Sequence, residues 1–237
     1  STQTAERRLG SVLVDRGFSV DLDDPNHELR VLFSEGEING ERRGRCFIGW
    51  LTVESKRDFG ERRPTDRPFF QPGSMAPLDA RALVNIAGAG PDSRVVDPMC
   101  GTGGVLLEAG LVGARVVGVD AQWKMTRGSR QNLDALLDDG EYEIIHGDAT
   151  ALPIVDGAAD AVVFDAPYGR QSKIARHELA DLVGGALVEA RRIADRAVVV
   201  ADRSWEAEAR EAGWTVDRRF ERRVHGTLVR HVHVLSG

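Results

Sequence analysis

The chain has 237 residues, 42% of them hydrophobic, which is enough to bury a full core. No run of about 18 apolar residues occurs, and the opening STQTAERRLG lacks the basic-then-apolar pattern of a secretory leader, so a soluble, cytoplasmic protein with no membrane partner is expected. The balance of 37 acidic to 31 basic residues, a net charge of -6, argues against a generally cationic nucleic-acid binder while leaving room for a local basic patch.

Cys46 and Cys100 are the only cysteines, and neither has a partner at metal-ligand spacing, so neither a disulfide framework nor a protein-bound metal is expected. The basic residues are almost all arginine, with lysine only at Lys56, Lys124 and Lys173. That usage fits adaptation to high salt and a GC-rich genome equally well.

In chain order, a helical stretch over Ala5 to Arg16 precedes short strands at Leu29 to Ser34 and Phe47 to Glu54, divided by the polar SEGEINGERRGR. Residues 1–56 are therefore read as a small α+β unit. The segment KRDFGERRPTDRPFFQPGSMAP carries four prolines and is too punctuated for one helix or strand, so 57–68 is read as a linker. Residues 69–237 form the main domain. There, apolar runs alternate with helical patterns, as in stacked βα units around a parallel sheet. Strands are expected at Arg94 to Asp97, Arg115 to Asp120, Tyr142 to His146, Ala161 to Asp165 and Ala197 to Ala201. Thr215 to Val224 and Thr227 to Leu235, separated by His225 and Gly226, should close the sheet as an antiparallel hairpin. The expected fold class is α/β, a seven-stranded Rossmann-like sheet whose terminal antiparallel hairpin resembles the class I methyltransferase variant of that architecture.

Three loops carry chemistry. In VVDPMCGTGGVLLEAG, Asp97 ends a strand and Gly101 and Gly103 make the turn into a helix, where a ligand can approach bare backbone. A dinucleotide fingerprint would place glycine at position 106, which is Leu; the acid-then-glycine order fits S-adenosylmethionine better than NAD. Asp120, 17 residues after Gly103, sits where a carboxylate can accept both ribose hydroxyls, and Asp148, followed by Ala149, sits where an adenine amine can donate. An N-cap is the competing role for Asp148.

The third loop, VVFDAPYGR, resembles the (D/N)PPY motif of amino-methyltransferases through Asp165, Pro167 and Tyr168, with Ala166 where the motif usually has Pro. An exocyclic base amine is a poor nucleophile because its lone pair is delocalised. A carboxylate and the next backbone carbonyl can both accept from it and aim the lone pair at a methyl sulfonium, which is catalysis by positioning and electrostatics. Tyr168 would stack on a base held out of its helix. Cys100 as a nucleophile is disfavoured, because in cytosine-C5 methyltransferases the cysteine sits in the later loop. His146, His225, His231 and His233 are read as packing residues.

RPFFQPGSMAPLDARALVNIAG resembles the segment by which a subgroup of RNA methyltransferases closes over the methionine end of the cofactor, with Phe70, Pro72 and Ser74 as members of that site. VDLDDPNHELRVLF resembles the end of a THUMP module. Together they resemble the archaeal tRNA guanosine-10 N2-methyltransferase family over nearly the whole chain, although only the last part of the THUMP unit is represented. The resemblance implies transfer of one or two methyl groups to guanosine N2 in tRNA. It also implies, for part of the wider family, a small zinc-binding activator protein as partner. Arg42, Arg43, Arg45, Lys56, Arg57, Arg62 and Arg63 become candidate phosphate contacts, with a solvated charged face as the alternative. A DNA or ribosomal amino-methyltransferase (adenine N6, cytosine N4, guanine N2), a catalytically idle fold that only binds tRNA or a partner, and a nicotinamide oxidoreductase are the competing readings.

Overall fold

The computed structural model describes residues 2–38, 41–54, 57–137, 141–168, 176–226 and 228–237. Lys56 and the hairpin start at Thr227 lie outside them. The chain divides into two compact units, residues 1–57 and 58–237.

The first unit holds helix α1 (Thr2–Val14) and an antiparallel pair, β1 (Leu29–Ile38) and β2 (Glu41–Trp50). Most of the polar stretch expected to divide two short strands is itself paired, from Ser34 opposite Arg45 to Ile38 opposite Glu41, and β2 ends at Trp50, short of Glu54. The composition misled because both faces of this ribbon meet solvent: Leu32, Phe33, Phe47 and Ile48 are exposed along with the charges, so no alternation marks the strands.

The second unit is built on a seven-stranded sheet. Its strands are β3 (Arg94–Asp97), β4 (Arg115–Asp120), β5 (Tyr142–His146), β6 (Ala161–Asp165), β7 (Arg196–Ala201), β8 (Thr215–His225) and β9 (Leu228–Ser236), in spatial order β5-β4-β3-β6-β7-β9-β8. The first five are parallel and β9 runs antiparallel to β7 and β8. Central strands read VVD, AVVFD and AVVVA because helices cover both faces, and a strand buried on both sides has no reason to alternate.

The helices are α2 (Pro77–Ile86), α3 (Gly104–Gly110), α4 (Trp123–Leu136), α5 (Arg176–Ile193) and α6 (Glu206–Glu211). One core layer joins Val95, Val163, Val198 and Val200 to Leu83, Val84, Leu106 and Leu133 of α2, α3 and α4. The other joins Val96, Val162, Phe164 and Val199 to Val183, Leu187 and Ala190 of α5 and to Trp205 and Trp214. Successive strand residues thus feed opposite layers, as the pleat requires.

The stretch expected as a linker is, from Asp58 onward, part of this second unit. Phe59–Arg62 and Pro64–Asp66 form short 3-10 turns. Glu108 of α3, fully buried, accepts from Arg62 Nε at 2.6 Å and Nη2 at 3.2 Å and pairs with Arg81 Nη2 at 2.9 Å. A carboxylate taken out of water on a helix must be met by cations, and the proline-rich segment supplies one of them. Asn132 of α4, also fully buried, completes the anchorage: its carboxamide exchanges two bonds with the Phe69 backbone (2.8 and 2.9 Å) and donates to Thr102 O at 2.9 Å. The segment before α2 is thereby fixed to the glycine loop.

Replacing Glu108 with Ala removes the buried carboxylate shared by Arg62 and Arg81 and leaves Arg62 to Asp58. The expected cost is about 3–5 kcal/mol of unfolding free energy, read by urea denaturation; a loss below about 1 kcal/mol would show that the buried pair contributes little.

Candidate active site

Parallel pairing sets the ends of β3, β4 and β6 side by side, so Asp97, Asp120 and Asp165 leave the sheet along one edge. Such an edge is where ligands bind in open α/β sheets. Asp97 is buried and accepts from Met99 N at 3.0 Å; burial first, then repulsion from Asp120 and Asp165, holds its carboxyl well above the ordinary range. Asp120 accepts from Gly101 N and Gln122 N, both at 2.9 Å, one on each oxygen, and burial again raises its pKa despite those bonds.

The glycines are used differently. Gly101 (φ +52°) has open space where a side chain would be, with only Met99 O at 4.0 Å; a Cβ on Gly103 (φ +76°) would run into the Ser129 side chain. One glycine therefore clears room for a ligand, and the other lets the loop pack onto α4. Cys100 is buried, its thiol pushed well up by burial and by the neighbouring carboxylates, which keeps it protonated and unsuited to nucleophilic attack.

A cavity of about 180 Å³ opens between this loop and the segment before α2, lined by Ser74, Met75, Asp97, Gly101, Thr102 and Asp165 among others. Ser74 Oγ lies 3.1 Å from Thr102 Oγ1 and donates to Gln71 O at 2.7 Å. Pro72 and Met99 also reach the wall. Phe70 is 42% exposed and, with Asp120, Asp148 and Ala149, is not part of that wall. Asp148 turns one oxygen to its own loop: its Oδ1 accepts from Thr150 N and Oγ1, both at 2.8 Å, in a side-chain turn, and no helix follows it to be capped.

Asp165 stands at the other end of the cavity, in a network that crosses the sheet. Its Oδ1 accepts from Tyr168 Oη at 2.8 Å, while Arg230 Nε donates to that same hydroxyl oxygen at 2.9 Å. Arg230 Nη2 lies 3.8 Å from Asp165 Oδ2, and its Nη1 lies 3.4 Å from Asp79 Oδ2. Burial raises the Asp165 pKa to about 6 against the pull of Arg230 and Tyr168, with Asp202 adding repulsion. Burial, then the Asp165 charge, also pushes the Tyr168 hydroxyl up, so it remains a donor.

Arg230 and Asn132 help to build the candidate site and carry no role in the reading of the sequence. For Arg230 a signal existed: it is an arginine at an inward-facing position of the apolar strand LVRHVHVL. His233 of the same strand is buried, accepts from Trp205 N at 3.2 Å and faces Val199 O at 3.3 Å, a structural role.

Among the candidate phosphate contacts, Arg43 and Arg45 on β2, Arg57 and Arg63 are exposed, and Arg42 lies on β2. Arg62 is a correction: it is 7% exposed and committed to Glu108, so it cannot reach a phosphate.

Glycine loop, strand-end carboxylates and terminal hairpin define a Rossmann-like methyltransferase that uses S-adenosylmethionine. The donor set suits that cofactor on physical grounds, since three crowded carboxylates favour a cationic sulfonium nearby and Gly101 leaves backbone open to it. Residues 64–231 match the family model described as the RMKL-like methyltransferase domain. A tRNA (guanine(10)-N2)-dimethyltransferase from Methanothermobacter thermautotrophicus is 36% identical over 99% of this chain and 69% of its own length. The chain belongs to the archaeal tRNA (guanine(10)-N2)-dimethyltransferase family. Among solved structures, TrmN from Thermus thermophilus is 24% identical with a TM-score of 0.60, covering all of this chain and 68% of that one. A methyltransferase solved with the Trm112 activator of Haloferax volcanii is 15% identical with a TM-score of 0.52, covering 66% of this chain and 87% of that one. Both likenesses concern the fold.

Removing the Asp120 carboxylate (Asp120→Ala) is expected to weaken S-adenosylmethionine binding roughly tenfold or more, the worth of a charged hydrogen-bond acceptor. Isothermal titration giving an unchanged affinity would remove Asp120 from the cofactor site.

Proposed function

We propose that the chain transfers methyl groups from S-adenosylmethionine to the exocyclic N2 amine of a guanosine in tRNA, position 10, with one or two additions. The observation that carries the reading is Asp165, fixed by Tyr168 and Arg230 at the end of β6 on the wall of the cofactor cavity. The choice of tRNA and of N2 rests on the family, whose named relative acts there.

The cofactor would lie along the loop of Asp97, Gly101 and Gly103, with Ser74 and Thr102 closing the far wall and Asp120 at the ribose; bound there, it supplies an electrophilic methyl. The chain's own residues do the rest. One oxygen of Asp165 is occupied by the Tyr168 hydroxyl, and the other accepts from the target amine together with the Ala166 carbonyl. Ala166 is buried and its N–H donates to Val200 O at 2.8 Å, which ties this peptide to β7 even without the second proline of the usual motif. Tyr168, anchored at its hydroxyl by two bonds, has its ring oriented before a base arrives to stack on it. Asp165 works as an anion already in place, and the proton that the amine must shed once methylated would pass to this carboxylate or to water.

tRNA is the proposed nucleic-acid partner, contacted through Arg43, Arg45, Arg57 and Arg63. A small zinc-binding activator is a further proposed partner, supported by the fold shared with the Trm112-bound methyltransferase. For localisation, no helix among the described residues is long and apolar enough to cross a membrane, and a cytoplasmic site of action follows from the proposed substrate.

Nucleoside mass spectrometry on unmodified tRNA incubated with the chain and labelled S-adenosylmethionine should show N2-methylguanosine; label on another nucleoside would replace the substrate assignment. Asp165→Ala should lower turnover by about 10²–10³-fold, the usual effect of losing one preorganised electrostatic partner, with cofactor affinity retained. The acid limb of the rate profile follows from the raised carboxyl. Below about pH 6 Asp165 is protonated and loses the acceptor, so turnover should fall as pH drops through 6. Removing its cation (Arg230→Ala) favours the neutral acid further and should move that limb to higher pH. A limb that stays put in the variant would disconnect Arg230 from Asp165.

A further inference from the structure

Strand β8 forms one edge of the large sheet and carries Arg218, Arg219, Arg222 and Arg223. The register with β9 sorts them by face. Arg218, Phe220 and Arg222 lie opposite Val234, Val232 and Arg230, so these six share one side of the ribbon. Val232 is packed in the core layer beneath α2, which identifies that side as the one carrying α2.

The two faces of β8 are not equivalent in charge. On the side away from α2, Arg219 approaches Glu206 at 3.6 Å and Glu221 at 3.8 Å, and Glu221 in turn faces His231 at 3.5 Å. On the α2 side, Arg218 is exposed with no carboxylate partner among the described residues. Phe220 beside it is 46% exposed, and Arg222 keeps 60% of its side chain exposed while one nitrogen lies 2.7 Å from Asp79 Oδ1. The other oxygen of Asp79 faces Arg230, the residue that holds Tyr168 and flanks Asp165. The sequence cation, ring, cation therefore starts at the amine-binding network and runs outward along the sheet edge. Same-face residues on a strand recur about every 7 Å.

We propose that the α2-facing side of β8, Arg218, Phe220 and Arg222, is a docking stripe for an unpaired stretch of the substrate RNA adjoining the target guanosine. The inference rests on the RNA substrate proposed above and adds the surface that receives it. Arginines neutralise phosphates while an aromatic ring offers a platform to a base without regard to its identity, the combination by which proteins hold single strands. A base whose amine must reach Asp165 is out of its stack, and Phe220 stands in register with Asp165 through Val200 and Val232, three strand spacings or about 14 Å away, within reach of the next few nucleotides of an extended strand. Arginines on an edge strand can also serve only to block pairing with another sheet. That alternative assigns nothing to Phe220, which makes Phe220 the discriminating position.

The test measures binding of the full chain to unmodified tRNA by fluorescence anisotropy across a salt series, together with methyl incorporation and cofactor titration. Arg218→Ala should reduce the dependence of log affinity on log salt by about one unit or slightly less. Phe220→Ala should weaken tRNA binding roughly tenfold, Phe220→Trp should restore it, and the cofactor affinity and melting temperature should match those of the parent chain in all three. Parent-like tRNA affinity for Phe220→Ala overturns the stripe and leaves the methyltransferase reading intact. A parent chain that binds tRNA through these residues yet labels no guanosine overturns the proposed reaction and leaves the stripe intact. A parent chain with no measurable tRNA affinity at any salt overturns both.

Discussion

The active site depends on the parallel pairing of β3 with β4 and β6. That pairing gathers three carboxylates at one end of the sheet, where burial makes each of them costly to ionise and repulsion from Asp120 and Asp165 adds to the cost at Asp97. A cluster of this kind persists only if the fold compensates it. Backbone N–H groups from the glycine loop and from the turn after β4 do so for Asp97 and Asp120, and a side-chain network from the far hairpin does so for Asp165. The cost that remains is relieved by a cation placed nearby, which is the property that suits the cavity to a sulfonium.

Two buried polar residues on the outer helices convert this edge into an enclosed site. Glu108 draws Arg62 and Arg81 inward, and Asn132 ties the Phe69 peptide to Thr102. The proline-rich segment is thus part of the wall of the cofactor cavity. Its first half, residues 57–68, suggested a linker because prolines and charges usually mark solvent. Here the prolines shape short turns, and Arg62 is buried because its partner is a carboxylate beneath it.

Much of the catalytic unit was legible in the amino-acid order. The limits of β3, β4 and β6 follow from valine-rich runs ending in aspartate, a pattern that suits parallel strands covered on both faces. The first unit was less legible, since its ribbon exposes apolar and charged residues on both faces and offers no period to read. The Asp148 reading illustrates another limit: Thr150 two residues on competes for the same carboxylate oxygen, and spacing alone cannot say which partner an aspartate takes.

By itself the sequence determined the class of chemistry. An acid before a glycine turn, a second acid one strand later and Asp165-Ala166-Pro167-Tyr168 after the fourth strand of the sheet are local patterns, and the covalent order of the chain sets their spacing. What only the tertiary structure decided is how the Asp165 carboxylate is held. Arg230 lies 65 residues away in sequence, on a strand that runs antiparallel to its neighbours, and reaches Tyr168 because β9 inserts between β7 and β8. Electrostatic tuning acts over a few ångströms of space whatever the distance along the chain, so the cation that opposes the effect of burial on Asp165 became identifiable only once the strands were ordered.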